Sequence, residues 1–226
     1  MSDARTEILA RVDRALKTAR IPTSARVDDE RASARQAPSE GARGLQPSGT
    51  EGGRKEVALQ ERFVAEARAL GVDAFVETSD DAVRTRLASL VNGLRVLSWN
   101  AEQLPYGAGG VVARAATGAS PRDEQARAQV GVTGCHGAIA ETGSLALVSL
   151  PGCSRAVSLL PPLHVALVRP EDLFYAMGEF FEARADQIAA ASNCTFVTGP
   201  SRTADIELSL TFGVHGPARV IVIVGP

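Results

Sequence analysis

A chain of 226 residues, 45% apolar and 22% charged, can bury one sizeable core and carry an appendage outside it. Its 24 basic and 26 acidic residues leave a formal charge of −2, so no electrostatic field draws it to nucleic acid or an anionic membrane. Aromatic residues, at 4%, are too few to stack bases across a sheet.

In chain order, the charged opening Met1 to Arg5 lacks the apolar run of a signal peptide. Asp3 predicts the cap of a helix from Ala4 to about Ala19, with Ile8, Leu9, Val12 and Leu16 on one stripe. So short a helix needs a surface to dock on, either the main domain or a neighbouring chain, so a homo-oligomer or partner contact is expected. From Ile21 to about Glu56, Pro, Gly, Ser and mixed charges read as a linker. Residues 1–56 are therefore expected as an N-terminal helix and flexible linker, and residues 57–226 as the α/β domain.

Leu59, Phe63, Ala67 and Leu70 predict a helix stopped by Gly71. A strand over Val72 to Val76 follows. Ser79 then opens a helix with Val83, Leu87, Leu90 and Val91 inward, ended by Asn92-Gly93. Leu94 to Trp99 and Val130 to Val132 read as strands, with a loop and a short helix from Pro121 to Ala128 between them. Further strands are expected over Leu145 to Leu150, Leu163 to Val168 and Thr195 to Val197. Pro170 is expected to start one long helix ending near Asn193, and a short helix should cover Ala204 to Leu210. Val220 to Val224, wholly apolar, suits a strand buried on both faces. Helices alternating with short apolar strands predict an α/β fold, an open and largely parallel sheet flanked by helices.

Cys135, Cys153 and Cys194 form no C-x-x-C pair, so the chain carries no iron–sulfur or zinc-ribbon signature. No Walker or dinucleotide motif appears, and no cofactor of its own is implied. No apolar stretch is long enough to span a bilayer, and a reducing cytoplasm is the simplest compartment. The spacing of Cys135, His136, His164 and His215 matches no standard zinc site.

The candidate chemistry concentrates in two stretches. Between Gly131 and Leu147, Thr133, Glu141, Thr142 and Gly143 sit between strand-like runs. A carboxylate there has either a structural partner, such as an arginine, or a chemical task. Near the C-terminus, Ser201, Arg202, Thr203 and Asp205 run from a strand into the expected helix start, where amides and hydroxyls favour an anion. Plain capping by Ser201 or Thr203 explains the same residues. His215 lies in the loop Gly213 to Pro217. Ser201, Asp205 and His215 follow the chain order of a hydrolase triad, but the G-x-S-x-G elbow is missing.

Gly131-Val132-Thr133, Ala138 to Ser144, Ser158 to Pro161, Gly199 to Glu207 and Gly213 to Pro217 together resemble the lactate-utilisation protein C family, whose shared unit is the LUD domain. The resemblance runs from roughly Val57 to the C-terminus. It implies a fold like that of sugar-phosphate isomerases and CoA transferases. It also implies a place beside two iron–sulfur partner proteins that oxidise L-lactate to pyruvate. Ala140-Glu141-Thr142-Gly143 is similar to the Ser-Glu-Asn-Gly of CoA transferases, whose glutamate is the nucleophile; here Thr replaces Asn. The competing expectation is a stand-alone acyl-transfer or phosphosugar-type enzyme using Glu141. Ligands of open α/β sheets bind beyond the carboxyl ends of the strands. On that rule the Thr133 and Ser201 loops are expected to open on one edge, Glu141, Thr142, Ser201, Thr203, Asp205 and His215 to converge on one cleft, and Thr133, Gly143 and Arg202 to take part in ligand binding. Glu141 or His215 is expected to move protons there, and Arg202 or helix amides to hold the anion.

Overall fold

The computed structural model describes residues 49–203, 211–213 and 215–226. The N-terminal stripe, Asp205 and the helix expected over Ala204 to Leu210 lie outside those residues.

Helix α1 (Gly49–Ala69) buries Phe63 and Ala67 completely. It begins inside the stretch expected to be linker. A helix anchored by a buried stripe extends backward at little cost once nucleated. Gly71, at φ +86°, ends that turn of chain and leads into β1 (Asp73–Val76). Ser79 caps α2 (Asp80–Val91), its Oγ accepting from the Ala82 amide at 3.2 Å, and Val83, Leu87 and Val91 face inward. Strands β2 (Val96–Ser98) and β3 (Ala116–Thr117), helix α3 (Arg122–Ala126) and β4 (Val130–Thr133) follow. After a hairpin come helix α4 (Ala156–Leu159) and β7 (Leu163–Val168), and the chain closes with β12 (Arg219–Val224).

The main sheet has six strands in the order β1-β12-β7-β4-β2-β3, all parallel. The last strand therefore inserts between the first strand and β7. Val220 to Val224 are all buried, as a strand covered on both faces requires. Among the described residues no helix is long and apolar enough to cross a membrane.

A second sheet was not anticipated. Strands β5 (Gly137–Ile139) and β6 (Ser144–Val148) form an antiparallel hairpin. Residues 140–143 are too short for a parallel crossover, so β6 can only fold back on β5. Strand β9 (Cys194–Val197) pairs antiparallel with β6, and β8 (Leu173–Phe174) pairs parallel with β5. The single helix expected after Pro170 is consequently broken. Pro170–Asp172 is one 3₁₀ turn, and the backbone of Leu173 and Phe174 is committed to β5. The Phe174 and Tyr175 carbonyls accept from the amides of Ala140 and Glu141, at 2.8 and 2.9 Å. Helix resumes only as α5 (Met177–Ala183) and α6 (Ala185–Ala189).

Phe180 of α5 is fully buried beneath this sheet. It meets Phe174 and Phe196 edge-on, with centroids 5.7 and 5.8 Å apart. Phe180→Ala should cost about 3–5 kcal/mol by denaturant unfolding. A loss below about 1 kcal/mol would show that the ring does not hold the second sheet.

Candidate functional site

The turn between β5 and β6 presents Glu141 and Thr142 to solvent. Gly143 has φ +64°, and a Cβ there would lie 2.5 Å from the Ala67 amide nitrogen, so glycine lets the turn rest on α1. Thr142 Oγ1 donates to Ser144 Oγ at 2.8 Å, and Ser144 Oγ meets Thr198 Oγ1 at 2.8 Å. This chain of hydroxyls ties the turn to the loop after β9. The Glu141 carboxylate has no hydrogen-bond or ion-pair partner among the described residues.

Thr198, Ser201, Arg202 and His215 line one cleft of about 410 Å³. Its two loops are clamped together: the Ser201 amide donates to Pro217 O at 2.9 Å, and the Gly213 amide to Ser201 O at 3.0 Å. His215 is exposed and Ser201 half-buried. Arg202 donates to the Leu70 carbonyl at the end of α1, a C-capping role beside any ligand contact. Arg202 and Thr203 form strand β10 (Arg202–Thr203), antiparallel to β11 (Thr211–Phe212), where a helix start was expected.

Thr133 does not join this cleft. It is fully buried at the carboxyl end of β4, its Oγ1 2.9 Å from His164 Nε2. The cleft, by contrast, is bordered by Leu70, Leu159 and Pro217, which precede β1, β7 and β12 at the amino edge of the main sheet. The expectation that the Thr133 and Ser201 loops open on one edge assumed that β9 belongs to the parallel sheet. It belongs to the second sheet, so the rule does not apply to Ser201.

The rule does apply at β2 and β4. The chain leaves β2 toward β3 on one side and leaves β4 toward β7 on the other. The strand order thus reverses between β2 and β4, and a crevice opens at their carboxyl ends. Glu102, Gln103, Leu104, Pro105, Gly134, Cys135 and Arg169 line an open hollow of about 190 Å³ there. Beside it Tyr106 has φ +61°, the one non-glycine residue with positive φ among those described. A bulky residue in that region is strained and must be held in place. Arg84 Nη1 grips its carbonyl at 2.6 Å, and its hydroxyl donates to Val168 O at 2.7 Å.

Asp172 is buried beneath the crevice. It accepts from Arg169 Nε at 2.8 Å and from Arg184 Nη2 at 2.7 Å. Arg184 Nε also donates to His136 O at 3.1 Å. His136 Nδ1 accepts from the Val148 amide at 3.1 Å, which leaves the ring proton on Nε2. Burial, helped by Arg184 and Arg169 and opposed by Asp172, holds this imidazole below its ordinary proton affinity. Burial, with Asp172 adding to it, also pushes the Cys135 thiol well above the usual thiol range, which favours its protonated form. A larger hollow of about 790 Å³ lies at the amino ends of β2 and β4. Two of its arginines are engaged there, Arg95 with the Arg127 carbonyl and Arg127 with Asp123.

Sequence reading singled out Cys135 and His136 without assigning them a task, and passed over Glu102 and Arg169. Polar residues directly after two adjacent apolar strands, Gly134-Cys135-His136 and Arg169-Pro170-Glu171-Asp172, are the signal that points here.

A family model for the LUD domain matches residues 60–224. The chain is 37% identical over 103 residues to the lactate utilization protein C of an Exiguobacterium species, covering 44% of this chain and 45% of that one. It is 32% identical over 165 residues to the lactate utilization protein C of Macrococcus caseolyticus, covering 66% and 70%. The matched region spans less than half the length of the Exiguobacterium relative. A solved DUF162 family protein from Deinococcus radiodurans shares the fold, with TM-score 0.61 and 23% identity over 76% of this chain and 98% of that one.

The Thr133–His164 pair makes a pH prediction. Burial lowers the His164 pKa from 6.5 to about 4, so the folded chain refuses a proton that the unfolded chain takes. Stability should therefore fall as pH drops through that window, by on the order of 3 kcal/mol when the drop is complete. Denaturant unfolding at stepped pH should show a shallower loss in His164→Gln. An identical pH slope in the variant would remove His164 as the cause.

Proposed function

Because the chain belongs to the LUD domain family, we propose that it serves lactate utilisation as the non-redox subunit of a complex that oxidises L-lactate to pyruvate. The observation that carries this reading is the family match over residues 60–224, joined to relatives named lactate utilization protein C. Electron transfer is assigned to iron–sulfur partner proteins, which suits a chain whose three cysteines are widely spaced. The cytoplasm is the proposed compartment.

The small-anion role expected of Ser201 and Arg202, with His215 beside them moving a proton, is kept as a proposal. They line one cleft, and His215 is exposed. The stand-alone enzyme using Glu141 gains no support. Glu141 is exposed on a turn, outside both the Ser201 cleft and the crevice at β2 and β4.

Deletion of the gene in the source organism should abolish growth on L-lactate, and the tagged chain should co-purify with iron–sulfur proteins. Normal growth after deletion, with no such protein recovered, would contradict the role.

A further inference from the structure

We propose that the free edge of β9 takes an added strand, an extended acidic segment of a partner protein seated in the Ser201 cleft with its carboxylate toward Arg202 and His215. At that end it rests on the small-anion role kept for the cleft, and it names a protein segment as the carrier of the charge.

The backbone of β9 has one side committed and one side open. The Ser149 amide donates to Asn193 O at 2.8 Å. Hydrogen-bonded pairs of an antiparallel ladder recur at every second residue. In the register of β6 and β9 they are therefore Leu147 with Thr195 and Leu145 with Val197. Ala146, opposite Phe196, turns its carbonyl the other way, to the His136 amide at 2.9 Å. Cys194 and Phe196 thus point their amides and carbonyls away from β6. β9 is the last strand of its sheet, and no strand among the described residues pairs with that side. Such a row of donors and acceptors is a template for another strand.

The edge carries none of the usual guards. Cys194, Thr195, Phe196 and Val197 include no charge and no proline, the residues that keep an edge from pairing. Four residues at about 3.3 Å each give about 13 Å of ladder. That edge opens into the cleft of about 410 Å³, whose lining includes Thr195, Phe196, Val197 and, from α4, Ser158 and Leu159. Leu159 is 39% exposed, and Phe181, which meets the Phe196 ring, is 43% exposed. Both offer apolar surface for a partner's side chains to cover.

Charge decides which segment fits. Arg202 and His215 are the ionisable side chains of the lining, and no carboxylate of the described residues joins them. Both are exposed. A carboxylate on the added strand meets that pair and the Ser201 hydroxyl, whereas a basic segment would meet Arg202 as a like charge.

Selection of a displayed random heptapeptide library on the full chain tests this. Recovered peptides should carry Asp or Glu and bind saturably by fluorescence anisotropy. Amide exchange at Phe196 should slow in the complex. Cys194→Pro removes one outward amide at an edge position that tolerates proline, and should weaken binding several-fold, as loss of one backbone hydrogen bond does. His215→Ala should weaken binding a few-fold, and replacing the peptide's Asp or Glu by its amide should erase that difference. If circular dichroism shows Cys194→Pro unfolded, exchange at Phe196 still reads the edge. No binding peptide, or peptides that leave Phe196 exchange unchanged, would overturn the proposal. A dimer of the chain that Cys194→Pro dissociates would give the edge to a second copy and overturn the partner. Acetate bound beside Ser201, with no peptide bound along β9, would sink the added strand and spare the small-anion role. Peptides that slow Phe196 exchange but gain nothing from a carboxylate would support the strand and remove that role.

Discussion

The ion cluster around Asp172 joins the two sheets. Asp172 lies between the end of β7 in the parallel sheet and β8 in the second one. Arg169 reaches it from the first sheet and Arg184 from the end of α5. Arg184 extends the tie to the His136 carbonyl, in the short passage by which the chain leaves β4 for β5. A buried carboxylate without its cation costs about 3–5 kcal/mol, so the three segments hold one another in place. The cluster ties the start of the hairpin, through the His136 carbonyl, to the end of β7 and orients Arg169.

That junction gives the molecule two chemically different edges. The amino edge carries the cleft of Ser201 and His215, built from loops clamped by backbone hydrogen bonds. The carboxyl edge carries the crevice at the strand-order reversal, backed by a buried charge network and a strained tyrosine. Strain and buried ion pairs are costly, and they persist where the surroundings determine them. Their concentration at one edge makes it the more tightly determined of the two. The Thr142, Ser144 and Thr198 hydroxyls run toward the other edge and bind the central turn to the loop after β9.

Much of the architecture was readable locally. Ser79 and Asn92-Gly93 marked both ends of α2, and five apolar residues in a row marked β12 as doubly buried. The second sheet was missed because the turn 140–143 was read as a site rather than as a hairpin connection. The long helix after Pro170 was misjudged because helical spacing in Leu173, Met177 and Phe181 says nothing about β5, which claims Leu173 and Phe174. The candidate site suffered most. Which loops share an edge depends on strand order, and neither the insertion of β12 beside β1 nor the placement of β9 is a local property. Ser201, Arg202 and His215 do meet, being close in sequence and clamped by their own loops. Thr133 stands apart, and Arg169 becomes visible only when β7 is set beside β4.

The central claim is that the buried Asp172 cluster holds the two sheets together. Denaturant unfolding of Asp172→Ala tests it most directly. The account predicts a loss of about 3–5 kcal/mol, the cost of breaking a buried ion pair by removing one partner. A loss below about 1 kcal/mol would contradict it.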